Sequence, residues 1–209
     1  MVTAVLWDFG GVILSSPFDA FNEYEAANGI PKDFIRGINA VNPDTNAWAK
    51  FERSEIDFEG FDRLFHEESS ARGHPVRGAV VAELIKGKLR PRMVEALRRC
   101  ADRLRVGCIT NNVADPTARD PQEHDAIAEV MGMFEIVVES SKVGMRKPDP
   151  KIYLHACELL GVQPSESAYL DDLGINLKPA RALGMHTIKV IDPDVALAEL
   201  EAVVGFPLR

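Results

Sequence analysis

The strongest constraint on the fold of this chain is a series of short apolar segments, each followed by polar residues. The segments alternate with stretches of helical periodicity, and such alternation predicts a parallel sheet covered by helices. Polar residues follow them at Asp8, at residues 110–112, at residues 146–149 and at residues 171–172. Because the carboxyl ends of parallel strands meet at one edge of a doubly wound sheet, these four groups are expected to share a crevice.

The predicted strands and helices lie mostly outside residues 16–88. Strands are predicted over residues 3–7, 104–109, 134–138, 167–170 and 186–190. Helices are predicted over residues 92–103, 121–132, 150–161 and 177–183. The third helix has a clear start, since Asp149 suits the N-cap and Pro150 the first helical position. This order of elements predicts a Rossmann-like α/β core.

Residues 16–88 are rich in aromatic and acidic residues and contain no convincing strand. Helical spacing occurs in two groups of residues there: Phe18, Phe21, Tyr24 and Glu25, and Phe58, Phe61, Leu64 and Phe65. We therefore predict a helical cap, inserted after the first strand over residues 16–88. Residues 1–15 and 89–209 would then form the α/β core.

Composition excludes several classes of protein. The 32 acidic residues outnumber the 24 basic ones, and a net charge of −8 argues against a general nucleic-acid or anionic-membrane binder. Three separated cysteines show neither a zinc pattern nor a disulfide framework, and Cys108 lies in an apolar strand where a buried thiol is expected. With no signal peptide, membrane-spanning run or lipidation motif visible, a cytoplasmic location is expected.

Asp8 occupies the end of the first predicted strand, where open α/β sheets place their chemistry. Gly10 and Gly11 follow it and allow a sharp turn or a close backbone approach. For Asp8 alone, turn capping would be the favoured explanation. The distant polar groups favour phosphoryl transfer instead, since they add a lysine, hydroxyl and amide donors, and paired acids able to hold Mg²⁺.

Two longer segments, residues 139–153 and 169–181, carry a family resemblance when they are taken together with Asp8. In this order and spacing the chain resembles the haloacid dehalogenase superfamily of aspartate-nucleophile hydrolases. Within it, the chain is most similar to the group containing the phosphatase-like amino-terminal domain of soluble epoxide hydrolase. The resemblance covers nearly the whole chain and implies a helical cap on a Rossmann-like core.

The resemblance implies a role for each matching residue. Asp8 corresponds to the catalytic nucleophile, and Lys147 to the catalytic lysine that bridges nucleophile and phosphate. Thr110 and the backbone N–H of Asn111 correspond to the groups that bind the phosphoryl oxygens. Asn176 falls where related enzymes place a residue that orients the lysine.

The implied cofactor is Mg²⁺. Its ligands would be Asp8, the backbone carbonyl of Gly10, Asp172, and Asp171 directly or through water. Most family phosphatases have an aspartate where this chain has Gly10, and that aspartate acts as general acid and then as base. Glycine keeps the carbonyl but loses the proton shuttle, which typically contributes roughly 10²–10⁴-fold.

The predicted function is hydrolysis of a small phosphorylated metabolite, with the cap choosing the substrate and excluding water. Two alternatives stay open. One is a dehalogenase-type reaction, against which the paired Asp171 and Asp172 argue. The other is a weakly active regulatory module that binds a phosphometabolite, which Gly10 favours. The oligomeric state is open, a homodimer included.

Other conspicuous side chains have simpler explanations. Lys142 and Arg146 compete with Lys147 as cations, and both are expected to be solvated or structural. The aromatic residues of the insertion, including Trp48 and Phe51, are expected to form its core rather than a ligand pocket. The five histidines are scattered without metal-ligand spacing, and structural roles are favoured for the last two in the chain.

Overall fold

The structure, a computed structural model, describes residues 2–112 and 121–208 apart from the side chain of Asp19. Within this part of the chain, five parallel strands form one sheet in the order β3-β2-β1-β4-β5. The strands are β1 (Ala4–Trp7), β2 (Arg105–Thr110), β3 (Ile136–Glu139), β4 (Ser167–Asp171) and β5 (His186–Lys189). All five predicted strands are confirmed, each within two residues of its predicted ends.

The central position of β1 explains why its residues are all apolar. Its four residues are buried, because helices cover both faces of a parallel sheet. Val5 and Trp7 pack into one apolar layer, and Ala4 and Leu6 into the other, as the alternation of side chains along a strand requires. The α/β class predicted from the sequence is confirmed.

Helices of the core cover the two faces of this sheet. The predicted ones are observed as α6 (Pro91–Ala101), α7 (Pro121–Met131), α9 (Pro150–Leu160) and α10 (Gly174–Ala182). Asp149 caps α9 as predicted, with its Oδ1 accepting the N–H of Lys151 at 2.9 Å. Two helices were not predicted, the short α8 (Ser140–Val143) and the carboxyl-terminal α11 (Pro193–Val204). None of the helices described is long and apolar enough to cross a membrane.

Residues 17–84 form a run of helices that we call the helical segment. Its members are α1 (Pro17–Ala27), α2 (Phe34–Asn39), α3 (Ala47–Glu52), α4 (Phe58–Ser70) and α5 (Gly78–Leu84). They enclose an apolar cluster of their own, in which Phe51 stacks on Phe61 with ring centroids 4.5 Å apart. Phe61 and Phe65 are fully buried, so the aromatic residues of α4 pack inside this segment as predicted.

The two chain crossings between the helical segment and the sheet are paired with each other. Leu14 and Leu89 form an isolated antiparallel bridge. On either side of it, the Ser15 N–H donates to the Lys88 carbonyl at 2.8 Å and the Arg90 N–H to the Ile13 carbonyl at 2.9 Å. The segment is therefore attached close to the turn that follows β1.

The three cysteines are buried and free. Burial raises the pKa of Cys100 to about 12 and also raises that of Cys108, so both thiols stay protonated at neutral pH. The expectation of a buried structural thiol at Cys108 is confirmed.

Removal of the Glu25 carboxylate is expected to destabilise the helical segment. Glu25 is buried in α1 and accepts the N–H groups of Asp33 at 2.7 Å and Ile35 at 2.8 Å, where α2 begins. Glu25→Ala leaves both donors unpaired, so we expect the free energy of unfolding to fall by about 2 kcal/mol. Glu23→Ala, on the exposed face of the same helix, should change it by less than about 0.5 kcal/mol in the same denaturant titration.

Candidate active site

The turn after β1 holds the first group of the site. Asp8 is buried, and its Oδ1 accepts the N–H of Phe9 at 2.7 Å, so this residue does cap a turn. Residues Phe9–Ile13 complete one wide helical turn in which Gly11 has a φ of 73°. A Cβ at Gly11 would overlap the carboxylate of Asp172. The glycine needed for close approach is therefore Gly11, whereas Gly10 has an extended backbone open to any residue.

Lys147 joins three distant parts of the chain through one ammonium group. Its Nζ lies 2.7 Å from Asp8 Oδ1 and 2.9 Å from Asp171 Oδ2, and its side chain is 1% exposed. Burial by itself would lower the pKa of Lys147, but the charges of Asp171 and Asp8 outweigh it and raise the pKa. The lysine is therefore held in its charged form between two carboxylates.

Asp171 is completely buried and is held by a full set of donors. The Leu173 N–H donates to Oδ1 at 2.8 Å, and the Asn176 amide donates to both oxygens at 3.1 Å. The Tyr169 hydroxyl donates to Oδ2, the oxygen that also contacts Lys147. Asn176 therefore contacts Asp171 rather than Lys147, and Asp171 is the residue that contacts the lysine.

Asp8, Asp171 and Asp172 form an acidic cluster with unbalanced charge. A carboxylate oxygen of each lies within 4.8 Å of one from each of the others. Burial, then the neighbouring Asp171, raises the pKa of Asp172 to about 6. Burial also raises the pKa of Asp8 well above its usual range, although Lys147 opposes this. Three oxygens so arranged are a donor set suited to a hard divalent cation, which would relieve the repulsion.

The polar residues after β2 hold the loop that carries Lys147. The Asn111 side chain accepts the Lys147 N–H at 2.8 Å and donates to the Lys147 carbonyl at 3.0 Å. The amide of Asn112 binds Glu139 and Ser141 at the end of β3. Thr110, the last residue of β2, is buried at the same edge of the sheet. The predicted convergence of the four polar groups is thus seen in the positions of Asp8, Thr110, Lys147 and Asp172.

Several residues of the site were not predicted from the sequence. Tyr169 was detectable, because it stands two positions before Asp171 on a strand and so shares its face. Arg90 donates to the carbonyl of Gly11 at 2.9 Å, which no local pattern indicates. Arg146 was expected to be solvated or structural, and the structure pairs it with Glu52 of the helical segment at 2.7 Å. Lys142 is exposed, as predicted.

Comparison with known proteins assigns the family. The sequence profile of the haloacid dehalogenase-like hydrolases matches residues 2–184. The chain belongs to this family. Its relatives include acyl-CoA dehydrogenase family member 10 of Mus musculus, 37% identical over 218 residues, and bifunctional epoxide hydrolase 2 of Sus scrofa, 32% identical over 217. They cover 99% and 98% of this chain, which spans 19% and 39% of their lengths. The predicted resemblance is confirmed.

One relative of similar length carries the name of a phosphatase. The sesquiterpene phosphatase astK of Aspergillus oryzae is 27% identical over 207 residues, which are 97% of this chain and 96% of that protein. The chain thus belongs to a family of hydrolases and has a phosphatase of similar length among its relatives.

Solved structures share the fold at low sequence identity. A family enzyme of Bacteroides thetaiotaomicron in complex with magnesium and inorganic phosphate has a TM-score of 0.61 at 19% identity and covers 90% of this chain and 94% of its own. L-2-haloacid dehalogenase of Xanthobacter autotrophicus has a TM-score of 0.61 at 18% identity and covers 100% and 85%. Both support the assigned fold.

Gly10 and Gly11 should respond differently to the same substitution. Gly11→Ala forces a side chain into the left-handed region and against the Asp172 carboxylate, so we expect a loss of about 2 kcal/mol or more in the free energy of unfolding. Gly10→Ala meets no atom within 4 Å and should change it by less than about 0.5 kcal/mol. Equal effects of the two variants in urea titration would contradict the close contact at Gly11.

Proposed function

We propose that this chain is a Mg²⁺-dependent phosphatase that hydrolyses a small phosphate monoester through an aspartyl-phosphate. The observation that carries the proposal is the 2.7 Å contact of the Lys147 ammonium with the Asp8 carboxylate, beside two further acids. A carboxylate so placed suits a covalent nucleophile, while the ammonium offsets its repulsion of a phosphate dianion. The phosphatase named among the relatives lends support.

The acidic cluster supports Mg²⁺ as the cation. Asp8 and Asp172, the carbonyl of Gly10, and Asp171 would hold the ion. Magnesium prefers oxygen ligands and few carboxylates, and the cluster offers oxygen donors from two buried acids and the partly buried Asp172. When bound, the ion would neutralise phosphoryl charge that a single lysine cannot balance.

The first chemical step follows from the contacts of Asp8. Oδ1 accepts the Phe9 N–H and contacts Lys147, so we assign Oδ2 to attack the phosphorus. The new bond forms between Oδ2 and phosphorus as the bond to the leaving oxygen breaks, and the leaving group departs with that electron pair. The hydroxyl of Thr110 and the backbone N–H of Asn111 would bind the non-transferred oxygens.

Water completes the reaction by attacking the phosphorus of the aspartyl-phosphate. The bond from phosphorus to Asp8 breaks, inorganic phosphate is released, and the proton of the attacking water passes to solvent. No carboxylate at position 10 assists either proton transfer in this chain. We therefore assign a substrate whose leaving oxygen needs little protonation, such as an aryl, acyl or anomeric phosphate.

Substrate choice is assigned to the helical segment. We propose that residues 16–88 act as a cap over the core formed by residues 1–15 and 89–209. A separate apolar cluster and paired chain crossings support this division. A cap that closes over the site would exclude water and contact the part of the substrate that the core does not bind.

Loss of the nucleophile should abolish phosphate release. Asp8→Asn keeps the size of the side chain but removes the negative charge needed for attack, so turnover of an aryl phosphate should fall by at least about 10³-fold. Asp194→Asn, an equal change in an exposed ion pair on α11, should leave turnover as it is. Substantial activity in the Asp8 variant would show that Asp8 is not the nucleophile. If the parent chain hydrolyses none of a broad panel of phosphate esters, the alternative of a regulatory module is favoured.

Restoring an acid at position 10 should help poor leaving groups most. The backbone of Gly10 has a φ of −69° and a ψ of 135°, and a Cβ there meets nothing within 4 Å, so aspartate fits. We expect Gly10→Asp to raise kcat for alkyl phosphates by roughly 10²-fold, and for aryl phosphates much less. Gly10→Asn controls for side-chain volume. An equal gain on both substrate classes would sink the link between Gly10 and the leaving group.

A further inference from the structure

Arg146, the residue before Lys147, connects the core to the helical segment. Its Nε lies 2.7 Å from Oε2 of Glu52, the last residue of α3. Its Nη1 donates to the carbonyl of Pro43 at 2.7 Å, in the loop that leads to α3. Close by, the Ser54 hydroxyl donates to the carbonyl of Ser141 at 3.1 Å. Three polar contacts, one before α3 and two at or just after its end, therefore join this part of the helical segment to the residues that lead to Lys147.

The carboxylate of Glu52 is buried, which is uncommon for a charged group. Its side chain is 5% exposed, and that of Arg146 is 20% exposed. Burial raises the pKa of Glu52, while Arg146, a hydrogen bond from Trp48 and the charge of Lys147 oppose the rise. The carboxylate is thus held between α3 and Arg146, the residue that precedes Lys147 in the chain.

The backbone on the helical-segment side of this contact is in a costly conformation. Asn42 has a φ of 47° and Ser54 a φ of 56°, although neither is glycine. Asn42 precedes the Pro43 carbonyl that binds Arg146, and Ser54 supplies the hydroxyl that binds Ser141. Left-handed backbone at residues other than glycine persists only where the surroundings impose it, and it is common at clamps and functional sites.

Stability alone does not account for a buried ion pair. The cost of removing charges from water usually cancels most of their attraction, so a gain in folding free energy is weak grounds for such a pair. Here the geometry concerns Lys147, whose backbone is held by Asn111 from the core. Arg146, the adjacent residue, is held by Glu52 and the Pro43 carbonyl of the helical segment.

We propose that Glu52 and Arg146 form a latch that seats the helical segment on the Lys147 loop, and that Glu52 is thereby a positioning residue for Lys147. The latch rests on the proposed phosphatase function. The Lys147 ammonium reaches Asp8 in the correct position only while α3 is docked. Seating of the helical segment and assembly of the nucleophile–lysine pair are thus one event.

Neutral variants of the latch test this proposal in turnover of an aryl phosphate. Glu52→Gln and Arg146→Met should each lower kcat roughly tenfold to a hundredfold, since a small displacement of a catalytic group has effects of that size. KM should change little, because a misplaced Lys147 reduces the stabilisation of the transition state more than the binding of the substrate. The double variant should lose less than the product of the two single losses, and Arg146→Lys should recover part of the rate.

A matched control removes the same charge elsewhere. Glu135→Gln breaks the exposed pair of Glu135 with Arg105, at the amino end of the strands and away from the site, and should leave kcat unchanged. Amide hydrogen exchange gives a second measurement that does not use turnover. Exchange should accelerate in α3 and α8 in both latch variants, but not in Glu135→Gln or in the strands.

The outcomes separate the latch from the phosphatase. If the parent chain releases phosphate and both latch variants keep its kcat, the latch is refuted and the proposed function stands. Strictly multiplicative losses in the double variant would likewise refute the coupling. If the parent chain hydrolyses no phosphate ester, the proposed function fails, and unchanged exchange in α3 of Glu52→Gln then refutes the latch as well.

Discussion

The ion pairs of Lys147 are the interaction on which the rest of the site depends. Moving a charged group out of water costs several kcal/mol, and here an ammonium and two carboxylates are buried together. Such a group is tolerable only when each charge has its partners in place. Tyr169, Asn176 and the Leu173 N–H supply them to Asp171, while the Phe9 N–H supplies one to Asp8. The charge of Asp172 is less completely neutralised, so a bound cation would relieve repulsion most at this carboxylate.

The register of the parallel strands makes this arrangement possible. Trp7, the last residue of β1, pairs with Cys108 on one side and Leu170 on the other, so β1 ends within two residues of the ends of β2 and β4. The N–H of Asp8 donates to the carbonyl of Leu170 at 2.8 Å, which holds the nucleophile candidate directly beside Asp171. A slip by one residue would turn Asp8 to the other face of the sheet. Sheet pairing therefore fixes the acids, and the loop after β3 needs only to bring in the lysine.

Some features of the fold and site could be predicted from the sequence and others could not, for different physical reasons. Buried parallel strands read as apolar runs, so the five strands and the polar groups at their ends were recognisable. Helix α11 carries the same start signal as α9, Asp192 followed by Pro193, and was therefore predictable in principle. The pairing of Glu52 with Arg146 was not, because contacts across 94 positions leave no periodicity in the chain. The partial burial of Arg146 depends on the helical segment, whose position no local sequence pattern indicates.

Gly10 and Gly11 are adjacent, yet the structure requires glycine at only one of the two positions. Gly11 is required by the fold, because its φ is 73° and the Asp172 carboxylate occupies the place of its side chain. Gly10 has an ordinary backbone and open space around it, so neither sterics nor strain demands glycine. The absence of an acid at position 10 is therefore a chemical feature rather than a structural one. Asp8, Lys147 and the acidic cluster are complete without it, and in the proposed reaction only the protonation of the departing oxygen is lost. A site of this kind suits an ester whose leaving group is already stable as an anion.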